Sequence, residues 1–313
     1  MIPRLSHSES IPEIVQSFLA ELRQSSFSGD IQHDYGTRLV SSTDNSIYQV
    51  LPQAVVFPKK SSDIQAVLEL TDQQKFHQNI KITARGGGTG TNGQSLTEGI
   101  VLDCSRYMNR ILDMNIKQGW VRVEPGVVLD QLNEYLAPQE VFFAPDLSPS
   151  NRATVGGMVN TDACGKGSRI YGRTSDHVLE LSCVLSNGET FESVPLDEDK
   201  LSAYKQKSGI AGEVFKVVDQ IVLEKADLIE KVFPKMSRFM TGYNLAKVYG
   251  NSGKNFNLNY LLSGSEGTLA VVSELKLRLT ALPKYKRLLV VKYEHIDDAL
   301  QDAQILVEND PAA

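Results

Sequence analysis

The chain has 313 residues, 41% of them hydrophobic and 22% charged, the composition of a globular protein with a packed core. Its formal net charge of −6, with Lys and Arg scattered, argues against a nucleic-acid surface. No apolar run approaches the ~20 residues of a membrane span, and the N-terminus lacks the basic-then-apolar start of a secretory signal.

Ser10 to Glu13 reads as a capping box, and Ile11, Ile14, Val15, Phe18, Leu19 and Leu22 recur at helical spacing up to about Ser25. Residues 30–53 are polar and irregular, a poor place for a sheet. Val55 to Phe57 reads as a short strand ended by Pro58. Ser62 to Gln65 gives a second capping box, and Ile64, Val67, Leu68 and Thr71 share a helix face. A strand at Lys81–Ala84 completes a β-α-β unit, and Ile100–Leu102 is a further apolar run. Strands are also expected at Arg110–Met114, Trp120–Glu124 and Val141–Phe143, with a helix face at Val128, Leu132, Tyr135 and Leu136 between the last two. Ala144 to Gly172 is a long loop-rich stretch with a short helix at Val155–Asp162, and a segment of that length calls for a ligand to order it.

Val178–Leu185 and Glu189–Val194 flank Ser186-Asn187-Gly188, a hairpin turn of the Asn-Gly type. Pro195 to Lys207 is charged and reads as surface. Gly212 opens a helix whose expected face is Val214, Val217, Val218, Ile221 and Val222. Leu269 to Leu279 alternates apolar and polar residues, the clearest half-buried strand in the chain. Leu288–Tyr293 reads as a strand, and Asp297–Glu308 as a helix with Ala299, Ala303, Leu306 and Val307 on one face.

The chemistry concentrates at Arg85-Gly86-Gly87-Gly88-Thr89-Gly90-Thr91-Asn92-Gly93-Gln94-Ser95, at the carboxyl end of the β-α-β unit. Ligands of α/β sheets bind outside the carboxyl ends of strands. Clustered glycines let backbone N–H groups converge on an anion, and Arg85 adds a positive charge at the loop's entrance. Gly88 to Gly93 fits G-x-G-x-x-G, but the dinucleotide fingerprint needs a helix after the last glycine. Thr97-Glu98-Gly99 interrupts the chain and a strand follows, so that reading fails, and no G-x-x-x-x-G-K-[ST] occurs. The ligand expected is a phosphate or pyrophosphate.

Two further segments join this loop. One runs from Pro145-Asp146-Leu147-Ser148-Pro149-Ser150 through Thr154-Val155-Gly156-Gly157 and Asn160 to Gly165-Lys166-Gly167-Ser168 and Tyr171-Gly172. The other is Gly264-Ser265-Glu266-Gly267-Thr268. In this order the three resemble the FAD-binding domain of the p-cresol methylhydroxylase and vanillyl-alcohol oxidase superfamily, over about Val55 to Leu282. The nearest likeness is the branch of FAD-linked D-2-hydroxy-acid dehydrogenases, which covers D-lactate, glycolate and D-2-hydroxyglutarate oxidation.

The resemblance implies an α+β fold: a small β-α-β subdomain at 54–115 and a larger mixed or antiparallel sheet with helices at 116–282. A lead-in at 1–53 precedes them, and 283–313 would begin a substrate cap in a longer bacterial protein. It implies a cytoplasmic enzyme, with attachment to the inner membrane as a peripheral variant. The odd number of cysteines, Cys104, Cys164 and Cys183, without a C-x-x-C motif, fits a reducing compartment.

The resemblance also assigns roles. Gly86 to Gly90 would cradle the FAD pyrophosphate, with Arg85, Asn92, Gln94 and Ser95 beside it. Pro145, Asp146, Ser150, Thr154, Gly156, Gly157 and Asn160 match the second flavin-contacting segment. Gly165, Gly167, Ser168, Tyr171 and Gly172 match its continuation, and Glu266 with Gly267 the turn before the last core strand. Singly, Ser150 and Thr154 could equally be loop-capping residues. Some relatives attach FAD through a His in the glycine loop or a Cys in the second segment. Here Thr89, Asn92, Asn151, Arg152 and Ala153 stand there, so FAD is expected to be non-covalent.

The reaction implied is oxidation of a small D-2-hydroxy acid to the 2-oxo acid, with hydride passing to the flavin. Iron–sulfur domains of a longer protein or a quinone would take the electrons, and the catalytic residues are expected beyond residue 313. A flavin reductase of the enolpyruvyl-glucosamine type or an inert FAD-binding module are the alternatives on the same fold. None of the five histidines is paired at metal spacing. His177 reads as structural; Arg152 and Arg173 could meet an anionic substrate but read first as solvated surface.

Overall fold

The computed structural model describes residues 10–236, 242–250, 255–309 and 311. In chain order its elements are α1 (Glu13–Gln24), β1 (Asp30–Gln32), α2 (Tyr35–Val40), β2 (Ala54–Phe57), α3 (Ser61–Asp72), β3 (Ile82–Arg85) and β4 (Ile100–Asp103). There follow β5 (Ile111–Asn115), β6 (Trp120–Val123), α4 (Leu129–Leu136), β7 (Val141–Phe142), α5 (Val155–Asn160), α6 (Ser168–Tyr171), β8 (Val178–Val184) and β9 (Thr190–Ser193). The remainder comprises α7 (Glu198–Lys205), α8 (Gly209–Glu224), α9 (Ala226–Val232), α10 (Asn259–Leu262), β10 (Val271–Arg278), β11 (Thr280–Ala281) and α11 (Ile296–Val307).

The first sheet has the order β1-β2-β4-β3, with β2, β4 and β3 parallel and β1 antiparallel at one edge. Its strands are fully apolar where they are central: Val55, Val56, Ile100, Val101 and Leu102 are all buried, as expected of parallel strands covered on both faces. Helices α1 and α3 pack together on this sheet through Val15, Phe18, Leu19 and Leu22 against Ile64, Val67 and Leu68, and Phe18 meets Phe76 edge-on with ring centroids 5.2 Å apart.

Neither expected capping box forms. Pro12 and Lys60 occupy the N-cap positions of α1 and α3 without a side-chain bond. At α3, Asp63 takes over: its buried carboxylate accepts the N–H of Lys59 at 2.8 Å and the N–H and hydroxyl of Ser28 at 2.9 Å each. Residues 30–53 were expected to stay out of any sheet, yet β1 pairs Asp30–Gln32 with Val55–Phe57. A three-residue edge strand needs only one bonded side, so polar residues serve there.

The second sheet is antiparallel throughout, in the order β5-β6-β10-β8-β9. Strand β5, up to Asn115, thus pairs in this second sheet and not in the first. The inner face of β10 buries Val272, Leu275 and Leu277 with Val121, Val123, Leu181 and helices α4, α5 and α8. Its outer face is an ion-pair ladder. Glu180 accepts from Arg122 at 2.6 Å and from Lys276 at 2.7 Å, and Lys276 lies over Trp120 at 4.7 Å. Parallel β-α-β and antiparallel sheet lie side by side, so the fold is α+β. Helix α3 also packs on β8 and β10, and Val184 and Val271 of the second sheet join the first core.

Three expectations shift. Pro195–Lys207 holds helix α7, whose Leu201 is buried with Leu196. Helix α8 turns Ala211, Gly212, Phe215, Val218 and Asp219 inward, leaving Val217 and Ile221 exposed. Phe215 anchors that face against Phe191, Tyr204 and Phe256, and the buried Asp219 is bonded by Lys205 and Tyr249. Leu288–Tyr293 is not a strand: residues 288–292 are exposed, and among the described residues the segment pairs with no sheet edge. Helix α11 forms as expected and buries none of its residues.

Candidate functional site

The glycine loop leaves β3 and runs to β4 without a helix, so the Rossmann reading is excluded. The loop forms one wall of a cleft of about 480 Å³, inside the usual range for small-molecule sites. Its lining includes Arg85, Gly86, Gly87, Gly88, Thr89, Gly90, Asn92, Gln94 and Ser95 from the loop, and Thr154, Gly156, Gly157, Asn160, Gly165, Glu266 and Gly267 from across it. Three segments far apart in sequence, from Arg85 to Gly267, therefore meet.

Close approach explains several of the glycines. A Cβ on Gly86 would strike Thr154 Oγ1, one on Gly87 the carbonyl of Arg152, and one on Gly165 the carbonyl of Asp146. Gly88 has φ +60 and sits over the Arg85 guanidinium. The loop is braced from behind. Arg85 donates to the carbonyls of Thr43 at 2.6 Å and Ser41 at 3.3 Å and reaches Ser95 Oγ at 3.4 Å, while Ser95 donates to Asp44 at 3.1 Å. Arg85 thus ties the loop to residues 41–44 as well as lining the cleft.

The opposite wall is α5 and the turn before β10. Thr154 precedes α5 and is 3% exposed. Asn160, at the helix's last turn, donates its amide to Gly156 O at 2.8 Å. The turn docks on that helix end through Gly264 N–H to Val159 O (2.9 Å) and Glu266 N–H to Asn160 O (2.8 Å). Glu266 takes φ +53, a conformation uncommon for a residue with a Cβ. Burial raises its carboxyl above the ordinary range, and a hydrogen bond from Gln94 across the cleft works against that. Thr154 Oγ1, Asn160 Oδ1 and Glu266 Oε2 are buried and lack hydrogen-bond partners within the protein. Buried polar atoms are normally paired, so this wall has unfilled capacity for a polar ligand.

Behind the wall, Asp162 and Arg173 form a buried ion pair at 2.8 Å. Arg173 is 6% exposed, so its expected place on solvated surface is overturned, whereas Arg152 is exposed as expected. Asp162 also accepts the N–H of Ser175 at 2.9 Å. His177 is structural: its Nε2 bonds Tyr171 O at 2.6 Å, and burial pushes the ring below its ordinary range.

Seven expected residues do not line the cleft. Pro145 and Asp146 lead into it. Ser150 accepts Asp130 N–H through its carbonyl at 3.2 Å. Gly167 and Gly172 bracket α6 with φ +83 and +74, Ser168 opens that helix, and Tyr171 stacks edge-on with Phe142. Reading the sequence missed Cys104, Pro125, Leu147, Thr161, Cys164 and Val272, all in the lining. Cys164 could have been found beside Gly165, whereas Val272 looks like any inward strand residue. A second cleft of about 530 Å³ lies among α1, α2 and His33 but contains none of the three unpartnered oxygens.

A glycine cradle facing a wall of open oxygens suits a ligand that is anionic at one end and rich in hydroxyls and N–H groups at the other, and FAD is such a molecule. Fold and cleft together suit a flavin cofactor. Residues 52–193 match the family described as an FAD binding domain. Over 98% of its length it is 48% identical to D-2-hydroxyglutarate dehydrogenase of Escherichia coli, and over 99% it is 51% identical to that of Pseudomonas putida. It spans 30% and 31% of those curated relatives. The solved structure of alkyldihydroxyacetonephosphate synthase superposes with a TM-score of 0.59 at 18% identity, covering 86% of this chain and 41% of that one. The chain therefore shares the fold of that part of the synthase. Among the described residues, no helix is long and apolar enough to cross a membrane.

Proposed function

We propose that this chain is the flavin-binding part of an enzyme that oxidises a D-2-hydroxy acid, D-2-hydroxyglutarate first among them, to the 2-oxo acid. What carries the reading is similarity to two D-2-hydroxyglutarate dehydrogenases over nearly the whole chain, together with a cleft whose two walls match FAD. In this reading, backbone N–H groups of Gly86 to Gly90 hold the pyrophosphate. Arg85 keeps that loop in register, and Thr154, Gly157, Asn160 and Glu266 face the rest of the cofactor. FAD, when bound, supplies a two-electron acceptor for the hydrogen on the substrate's hydroxyl-bearing carbon.

Attachment is non-covalent. No His or Cys stands at residues 89, 92 or 151–153. Cys104 and Cys164 line the cleft outside those positions, and burial pushes the thiol of Cys104 up to about 12, so that residue holds its proton near neutrality and is a poor nucleophile.

The experiment is anaerobic mixing of the protein carrying these residues with D-2-hydroxyglutarate, D-lactate or glycolate. Bleaching of the flavin band fastest by D-2-hydroxyglutarate is expected. Bleaching by NADPH and by none of the acids would replace the reading with a flavin reductase. Acid precipitation should leave the flavin in the supernatant, and flavin in the pellet would overturn non-covalent attachment.

A further inference from the structure

The cleft of about 530 Å³ among α1, α2 and His33 shares no lining residue with the flavin cleft. The chain carries a formal net charge of −6, yet this cleft is lined by two arginines and a single carboxylate. That carboxylate, Asp34, is already spent on its own helix: Oδ1 accepts the N–H of Thr37 at 3.0 Å and Oδ2 its hydroxyl at 2.7 Å. Those bonds, which cap α2, hold the Asp34 carboxyl below the ordinary range. Arg38 is 5% exposed, and its Nε is fixed on Pro52 O at 2.7 Å. Arg23, in the last turn of α1, forms no hydrogen bond or ion pair with any described residue. A cleft biased to one sign concentrates the opposite charge, and a guanidinium fits a carboxylate or phosphate. The lining also includes the buried Leu19, the half-buried Ile11 and Tyr35. The volume lies within the range of small-molecule sites and exceeds what a bare phosphate fills.

We propose that this cleft is a second ligand site, for a small organic anion. Its phosphate or carboxylate head would be held by Arg23, Arg38 and His33, and its apolar or ring-bearing body would lie against Ile11, Leu19 and Tyr35. Arg23 brings an uncommitted charge, Arg38 a positioned one and His33 a ring N–H donor. The apolar lining is what separates an organic anion from an inorganic one, because a bare ion leaves that surface wet. The site lies apart from the cofactor cleft and does not depend on the flavin reading.

The test titrates the protein by calorimetry, first deflavinated and then with FAD saturating, against phenyl phosphate, benzoate, benzyl alcohol and inorganic phosphate. The tighter of phenyl phosphate and benzoate should bind at least tenfold more strongly than benzyl alcohol, which lacks the charge, and than inorganic phosphate, which lacks the ring. Which of the two it is names the head group. Arg23→Ala should weaken that anion about tenfold or more, the scale of a hydrogen bond to a charged group, and Arg23→Lys should restore part of the loss. Both variants should keep the flavin-to-protein ratio of the unaltered protein, and the anion's affinity should be the same with and without FAD. Benzyl alcohol binding as tightly as the anions, an Arg23→Ala protein that binds them as before, or displacement of the anion by FAD would each overturn the site. So would the absence of anion binding by the unaltered protein.

Discussion

The two walls of the cleft are built on opposite plans. The glycine-loop wall is closed on itself: Arg85, Ser95 and Gln94 spend their side chains on Ser41, Thr43, Asp44, Asn92 and Glu266. What it offers a ligand is backbone and shape. The α5 wall is open, with buried side-chain oxygens that find no partner in the protein. Substitutions on the first wall should therefore act by moving backbone, and those on the second by adding or removing a hydrogen bond.

The largest effect expected tests the shape plan. Gly87→Val drives a side chain into the carbonyl of Arg152, so the two walls cannot approach. Loss of all copurifying flavin is expected, and a wild-type flavin-to-protein ratio would show that the walls need not meet there. Next comes the buried pair behind the open wall. Asp162→Ala removes the buried carboxylate that pairs with Arg173 and accepts the Ser175 N–H, and should cost about 3–5 kcal/mol in denaturant unfolding. A cost within error would mean that the pair does not hold this wall.

Arg85→Ala frees the loop from residues 41–44 and should weaken FAD binding by about 1.5–3 kcal/mol, the range for hydrogen bonds to a charged group. Unchanged affinity would leave the brace without influence on the site. Thr154→Val separates the plans most cleanly. It removes an unsatisfied hydroxyl, so the flavin-free protein should be as stable as before or more so, while FAD binds about 0.5–1.5 kcal/mol more weakly. Equal loss in both measurements would assign Thr154 to packing alone.

The smallest effect concerns pH. Burial raises the Glu266 carboxyl in the folded state above its unfolded value. The folded protein therefore holds that proton more tightly, and stability falls as pH rises from the unfolded value, about 4.3, through the folded one. Glu266→Gln should melt slightly higher than wild type at pH 7.5 when flavin-free, with the difference shrinking as pH falls toward 4. A difference that grows in acid would reverse the assignment.

The closed wall was legible in the sequence because clustered glycines beside an arginine have few other uses. The two-residue period of β10 was equally plain, since one face is buried and the other carries Lys276 and Arg278. Less visible were features that depend on partners. Leu288–Tyr293 has the composition of a strand, but no edge lies beside it to receive its hydrogen bonds. The face of α8 was misjudged because the reading started from Val214 and Val217 and passed over Phe215, and because a buried Asp219 carries no hydrophobic signal. Arg173 read as surface because an arginine's burial depends on Asp162, which sequence spacing does not mark as its partner. Glu266 and Asn160 were found only through resemblance, as their open oxygens are a property of three segments brought together.

The position of β10 has a consequence for how the chain is made. Of the second sheet's strands it is the last to leave the ribosome, yet it lies in the middle of that sheet, bonded to β6 on one side and β8 on the other. Until residues 271–278 arrive, the nascent chain holds two hairpins, β5–β6 and β8–β9, with nothing to join them and two unpaired edges. The Glu266 turn immediately precedes this strand, so the open wall and the sheet that supports it are completed in one late, long-range event. Folding of this half should consequently be slow and should expose strand edges for most of synthesis, whereas the first sheet can close as soon as residue 103 has emerged.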